Sequence, residues 1–501
     1  MTVARSSGVL LHPTCLPGPF GVGDLGPAAH AWVETLATAG QGWWQVLPVG
    51  PTGYGDSPYQ SPSTFAGNLN LVSPEALAAD GLATPGDVAG CVLPAAGPVY
   101  YADVIPRKRR LVRRAWERFA AGDGPAGMAA EFARFRTAEA GWLDEFARFM
   151  AVKDEYGGKP WWEWPAPLAA RDPAALRHAA DQFATDIDAH RFGQFLFFRQ
   201  WDALRTRGRA AGVKVIGDLP IYVAHDSADV WANPDLFALD AARTPRLVAG
   251  VPPDYFSATG QLWGNPIYDW AAHRRTGFRW WVGRVRGALA LFDLIRLDHF
   301  RGLEAFWAVP FGDPTAERGT WMTAPGGDLL AALRTALGDV PIIAEDLGFI
   351  TPEVDALRER FGLPGMRILQ FAFGGAVEPR FLPHRYARDV VVYTGTHDND
   401  TTAGWVEKLT VAEREQLARY APGAAADPVR ALLRLGWASV ADLAVAPLQD
   451  LLGLGTAARV NLPGTTTGNW TWRATAAQIA DPEWVAFLGD LTAVYERTAV
   501  V

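Results

Sequence analysis

The sequence predicts an α/β chain built on a (β/α)8 TIM barrel, with large and mainly helical insertions at the carboxyl-end face. Three observations carry that expectation. Eight apolar runs of strand length recur along the chain, helical sequence separates most of them, and three of the later runs break off abruptly into acidic residues. Alternating units of this kind close into a parallel barrel whose site lies at the carboxyl ends of the strands, where Asp218, Asp298, Glu345 and Asp398 all fall.

Taken in order, GVLLHP leads into GPFGVGDLG, where Gly21, Gly23 and Gly26 fit a GxGxxG spacing. Pro17 and Pro19 precede those glycines, so the stretch reads as a loop and not a nucleotide site. A helix is expected over Pro27 to Ala39, a first barrel strand over Trp44 to Val49, a loop over Gly50 to Asn68 and a short second strand over Asn68 to Val72 (NLNLV). From 73 to 211 the periodicity is helical without a convincing strand, too long for a connection, and it reads as an inserted helical subdomain. The remaining strands are VKVIGDLPI, FDLIRLD, VPIIAED, MRILQFAF, VVVYTGTHD and VADLAVAPL. Residues 222–290 form a second insertion of loop and helix whose Pro, Gly and aromatic content marks 248–270 as a long functional loop. The whole of 1–501 then reads as one elaborated catalytic barrel.

With 49% hydrophobic and 20% charged residues the chain has the composition of a well-packed globular protein, and a net charge of −8 argues against nucleic acid as a partner. The basic run Arg107, Lys108, Arg109, Arg110, Arg113, Arg114 reads as a solvated helix face. Two cysteines without CxxC spacing suit a reducing compartment, the N-terminal apolar stretch is too short for a signal peptide, and no run reaches membrane-spanning length. A cytoplasmic protein with no membrane contact, a monomer or weak dimer, is the expectation. There are 21 tryptophans, and Trp263, Tyr54, Tyr59 and Trp470 sit in Gly/Pro-rich segments where exposure is expected. Exposed rings of this kind suit the C–H faces of sugars.

Several carboxylates facing one cavity allow metal binding or acid/base work on a sugar. The nine histidines form no HExxH pair, and neither a GxxxxGK[ST] phosphate loop nor a G-x-S-x-G elbow occurs. Glycosyl transfer with retention needs one ionised carboxylate to attack the anomeric carbon and one protonated carboxyl to serve the leaving oxygen, roughly 5–5.5 Å apart. Arg296, two residues before Asp298 on the same strand face, would favour Asp298 as the ionised nucleophile. Glu345 follows the apolar PIIA, where burial would raise its pKa toward that of a general acid. Asp398, between His397 and Asn399, would hold sugar hydroxyls as the ring distorts.

The blocks RLDHFRG, AEDLG and GTHDN resemble the catalytic blocks of the α-amylase superfamily. DSPYQSPSTFAGN, VIGDLPIYVAHDSADVW, VAGVPPDYFSATGQLWGNPIYDW and LPGTTTGNWTWR narrow the resemblance to the 4-α-glucanotransferases called amylomaltases or disproportionating enzymes, from about residue 6 to the C-terminus. The resemblance implies Asp298 as nucleophile, Glu345 as general acid/base and Asp398 as transition-state stabiliser. It further implies that Arg296, His299, His397 and Asp218 line the reacting glucose's subsite, with Tyr59 as a stacking platform. Gln261 and Trp263 would belong to a lid, Asn469 to an acceptor contact, Tyr54 and Tyr101 to a second glucan surface, and Ser57 and Phe371 to the substrate-binding set. Enzymes of this kind need no cofactor or metal. Their partners are malto-oligosaccharides, starch- or glycogen-derived α-1,4-glucans, and glucose as acceptor. This chain departs from the family pattern at Gly374 and Gly375, where an acidic residue is frequent, and at Arg385 in place of Asn; both changes bear on chain-length preference. An α-1,4-glucan hydrolase of the same superfamily, or a non-catalytic glucan-binding protein, are the alternatives.

Overall fold

The computed structural model describes residues 4–253, 257–374 and 379–498. Eight parallel strands close into a barrel in strict chain order: β1 (Ser6–Leu10), β2 (Trp43–Gln45), β3 (Lys214–Leu219), β6 (Leu294–Leu297), β9 (Ile342–Ala344), β10 (Gly365–Ile368), β11 (Val390–Tyr393) and β12 (Leu443–Pro447), which pairs back onto β1. The remaining strands, β4 (Leu247–Val251), β5 (Gln261–Pro266), β7 (Ala305–Pro310) and β8 (Thr320–Thr323), form a separate antiparallel sheet ordered β5-β4-β7-β8.

The barrel expectation holds, with one strand exchanged for another. NLNLV is not the second strand: Leu69–Leu71 is a 3-10 turn, because the Asn68 side chain accepts the Asn70 amide at 3.0 Å and curls the chain locally. The strand that takes the vacant place is Ser6–Leu10, which Ser-Ser-Gly disguises by its poor strand propensity. Gly8 is required there, since a Cβ would lie 2.5 Å from the Trp43 carbonyl oxygen of the adjoining strand. The helix expected from Pro27 runs to Thr38, and the glycines 21–26 lie in a loop. The segment 248–270 is not all loop, because its two arms are β4 and β5; the tip, 254–256, lies outside the described residues.

The long stretch after Ser73 is helical, closing with the 27-residue helix Ala184–Ala210, which buries Phe192, Phe195, Leu196, Phe197 and Trp201. Lys108 is an exception to the solvated basic face. It is 1% exposed, and its ammonium meets Asp24 at 2.8 Å and the Val72 carbonyl at 2.7 Å. Among the described residues no helix is long and apolar enough to cross a membrane.

Two apolar layers follow from strand alternation. Side chains pointing outward meet the helices, while Ile216, Leu294, Ile343, Met366, Ile368, Val391, Tyr393, Leu443 and Val445 fill the barrel interior as one cluster. That interior row decides where the charges sit.

Candidate active site

Two residues beyond an inward-facing side chain, a strand points inward again. Two beyond Ile216, Leu294 and Ile343 stand Asp218, Arg296 and Glu345, so the apolar plug of the barrel is capped by a charged layer on three adjacent strands. The register fixes their neighbours. Asp218 is the Cα partner of Arg296 across β3 and β6, and Leu297 is that of Ala344 across β6 and β9. One step further along the same register, Asp298 comes level with Glu345.

The contacts agree. One nitrogen of the Arg296 guanidinium donates to both oxygens of Asp218, at 2.9 and 2.8 Å, and reaches Asp298 at 3.0 Å. After Asp298 the chain enters the left-handed region at His299 (φ 48°), a conformation histidine tolerates better than most residues. That turn aims the His299 amide at the Glu345 carboxylate, 2.7 Å away, and the Leu347 amide grips the other oxygen at 2.9 Å. The acid on β9 is thus tied to the residue that follows the acid on β6.

Burial dominates the protonation of this layer. Asp298 leaves 27% of its side chain open to the cleft, yet desolvation by the walls, assisted by Asp218, Glu345 and Asp398, pushes it up to about 8. Arg296, 3.0 Å away, favours the ionised form of Asp298 as expected, but it opposes the rise without cancelling it. Glu345 is also raised, first by burial and then by Asp346, against the pull of Arg296 and its two amide donors. The two carboxyls stand level on adjacent strands, and burial raises both. Burial likewise lowers His299, to about 3, and lowers His397, so both imidazoles are neutral hydrogen-bonding groups.

The remaining sequence-predicted residues divide into those the fold brings together and those it does not. Tyr59 Oη meets Asp218 Oδ2 and His397 Nε2, each at 2.8 Å, and its ring stacks on His397 with centroids 5.4 Å apart. Ser57 braces that loop by accepting the Tyr59 amide at 3.2 Å. Trp263 stands edge-on to His299 at 4.8 Å and donates its indole N–H to Gln261 at 3.2 Å. Asp398 projects from the loop after β11 and accepts the Asn461 amide nitrogen at 2.6 Å. Phe371 lies in the turn after β10 against Phe381. Asn469 is 9% exposed, and its side chain is engaged by the Leu462 amide and by Thr465, which makes it a brace for the 461–469 loop.

Exposure corrects two expectations. Trp470, expected on the surface, is 8% exposed and packs on Tyr59 and His397. Tyr101 is 4% exposed, with its hydroxyl bound to the Trp470 carbonyl at 3.0 Å, and cannot offer a face beside Tyr54, which is 77% exposed. Tyr101 opens the helix Tyr101–Ala120 and is buried in one apolar cluster with Val22, Val99, Val104 and Trp470, partners that local sequence does not reveal.

Three contributors escaped the sequence reading. Asn461 and Arg459 hold Asp398 by its carboxylate and its carbonyl, from a loop about sixty residues away. Asp346, beside Glu345, is fully buried against Arg367 (3.1 Å) and Arg358 (3.6 Å) and accepts the Met366 amide at 2.7 Å, locking β9 to β10. An acidic pair at a strand end was the available signal for Asp346; nothing local marks the other two. Among the described residues no group of three or more His, Cys, Asp or Glu is placed to hold a metal ion.

A family model described as 4-alpha-glucanotransferase matches residues 11–478. A 4-alpha-glucanotransferase of Thermus thermophilus is 49% identical, over 99% of this chain and 100% of its own. The chloroplastic/amyloplastic 4-alpha-glucanotransferase of Solanum tuberosum is 42% identical, over 98% and 86%. The amylomaltase of Streptococcus agalactiae, solved in complex with acarbose, superposes with a TM-score of 0.94 at 36% identity, covering 99% of this chain and 100% of its own. The capped barrel and these full-length likenesses lead to one conclusion: the chain belongs to the 4-alpha-glucanotransferase family.

Proposed function

We propose that the protein transfers α-1,4-glucan segments with retention through a covalent glycosyl-enzyme. Asp298 attacks the anomeric carbon while Glu345 delivers its proton to the departing 4-oxygen; Glu345 then takes a proton from the acceptor's 4-hydroxyl as that oxygen displaces Asp298. Donor and acceptor are malto-oligosaccharides or longer starch- or glycogen-derived glucans, with glucose as the smallest acceptor. The observation that carries this reading is the clamp of Glu345 onto the His299 amide, which sets the second carboxyl beside the turn that bears the first.

Arg296 holds negative charge on Asp298 as the proton settles on Glu345, and Asp398, steadied by Asn461, receives the hydroxyls of the reacting glucose. Tyr59, Asp218, His299 and His397 complete that subsite. The arms β4 and β5, with Trp263 against His299, cover the cleft and favour a sugar over water at the second step. Residues 73–211 act as a helical subdomain inserted after β2.

Incubation with maltotriose alone tests the reading. Transfer gives glucose and a ladder of longer oligomers; hydrolysis gives only shorter sugars. Glu345→Gln should slow the reaction about 10²- to 10⁴-fold. With an α-glucosyl fluoride, which needs no acid for departure, that variant should accumulate an adduct on Asp298 visible by mass spectrometry. Undiminished turnover of Glu345→Gln would end the proposal.

A further inference from the structure

Asp450 lies in the helical turn Leu448–Leu451 directly after β12 and is 2% exposed. Its carboxylate accepts three hydrogen bonds. Oδ2 takes the Thr394 hydroxyl at 2.5 Å and the Thr402 hydroxyl at 2.7 Å, and Oδ1 takes the Thr402 amide at 2.7 Å. All three donors are neutral. Burial pushes this carboxyl above the usual carboxylate range, and the three bonds pull against that rise. Losing any of them would leave polar groups unmet in a buried place, so the arrangement is rigid.

The two threonines stand at opposite ends of one segment. Thr394 is the first residue beyond β11, and Thr402 opens the helix Thr402–Lys408. Both are buried. Between them run residues 395–401, which carry His397 and Asp398. A loop whose two ends are tied to a single side chain has less freedom than one hung from independent supports. Inside the loop, Asn399 Oδ1 accepts the Thr396 amide and hydroxyl, each at 2.9 Å, and Gln370 Nε2 donates to the Asp400 carbonyl at 2.9 Å. Asn461 and Arg459 hold Asp398 itself. These contacts shape the loop and its tip; Asp450 joins its ends.

We propose that Asp450 is a positioning residue for glucan transfer: by clasping Thr394 and Thr402 it fixes the base of the loop that presents Asp398 to the reacting glucose. Asp450 touches no sugar and acts through the two threonines. The inference rests on the transfer reading above, in which Asp398 meets the ring as it distorts. A group of that kind must be placed closely, since a misplacement of about 1 Å can cost about a hundredfold in rate. The loss then falls on the chemical step more than on the binding of substrate.

The test uses the full-length protein and the kinetics of maltotriose disproportionation at low temperature. Asp450→Ala cuts both ties; Thr394→Val cuts one and keeps the side chain's shape. Asp450→Ala should lower kcat about ten- to a hundredfold and Thr394→Val about three- to tenfold, with KM changed by less than about threefold in each. Thr394→Ser keeps the hydroxyl and should hold kcat within about twofold of the natural protein's. Circular dichroism checks folding, and if Asp450→Ala does not fold, the Thr394→Val and Thr394→Ser pair carries the test. A Thr394→Val protein that unfolds at lower urea yet keeps its kcat reduces Asp450 to a brace for stability and overturns the proposal. So does a rise in KM at unchanged kcat, or a Thr394→Ser protein as slow as Thr394→Val. If the natural protein makes no ladder from maltotriose, the function itself falls and takes the positioning role with it.

Discussion

At the scale of single residues, the proposed chemistry turns on the raised carboxyls of Asp298 and Glu345. Burial raises Asp298 to about 8, with Arg296 the largest opposing influence. Above that pH the dyad loses the proton that the leaving oxygen requires, so kcat/KM for maltotriose should fall along an alkaline limb with an apparent pKa of about 8. The same shift has a cost in stability. A carboxyl whose folded pKa is raised is fully tolerated below its unfolded value, near 4, and weakens the fold progressively as pH climbs toward 8. Asp298→Asn removes that burden. Its melting temperature should exceed that of the natural protein, by a margin that widens between pH 5 and pH 8; a margin independent of pH would contradict the assignment.

Elements, rather than residues, decide whether the acids meet. Asp218 is placed by β3, but the loop that brings Tyr59 to it is held by Arg284, from the helix Arg279–Leu291. Arg284 is 1% exposed; its Nε donates to Thr64 at 2.7 Å, its Nη1 to the Ile221 carbonyl at 2.8 Å and to Tyr268 at 3.1 Å, and its Nη2 to the Pro220 carbonyl. One planar fork therefore ties the Tyr59 loop to the carboxyl end of β3. Arg284→Met leaves those carbonyls buried without donors and should cost about 3 kcal/mol in urea unfolding. Arg284→Lys should recover little, because a point charge cannot serve carbonyls in several directions at once.

On the scale of the whole molecule, a barrel must close where the chain's beginning meets its end. Ser6 to Leu10 pair with Leu443 to Pro447 across that seam. Arg497, fully buried, donates to the carbonyls of Trp437 (2.7 Å), Ser6 (3.0 Å), Ser439 (3.0 Å) and Ala441 (2.9 Å), and Arg5 reaches Trp437, Ser439 and Ala441 from the other side. Two guanidiniums thus stitch strand ends more than four hundred residues apart. Arg497→Leu should lower stability by about 3 kcal/mol or more while the strand register at the acids persists. The check is a lower urea midpoint together with unchanged KM for maltotriose at low temperature.

The acid-tipped strands were legible without coordinates because a buried strand announces itself as an apolar run and its end as the first charge. Asp298, Glu345 and Asp398 needed only that, and the long motifs around them carried the family. Ser6–Leu10 and the 3-10 turn at Leu69–Leu71 were illegible, since a strand of Ser and Gly is stabilised by its two neighbours and Asn68 takes its own local hydrogen bond first. The burial of Tyr101 and Trp470, the grip of Asn461 on Asp398, the arms β4 and β5 and the fork of Arg284 depend on partners far along the chain. Local sequence determines which side chains stand at the end of each strand, because alternation is a property of the backbone itself. Which of them face one another, and with what charge, is decided only when the strands close around a common axis and desolvate the groups they bring together.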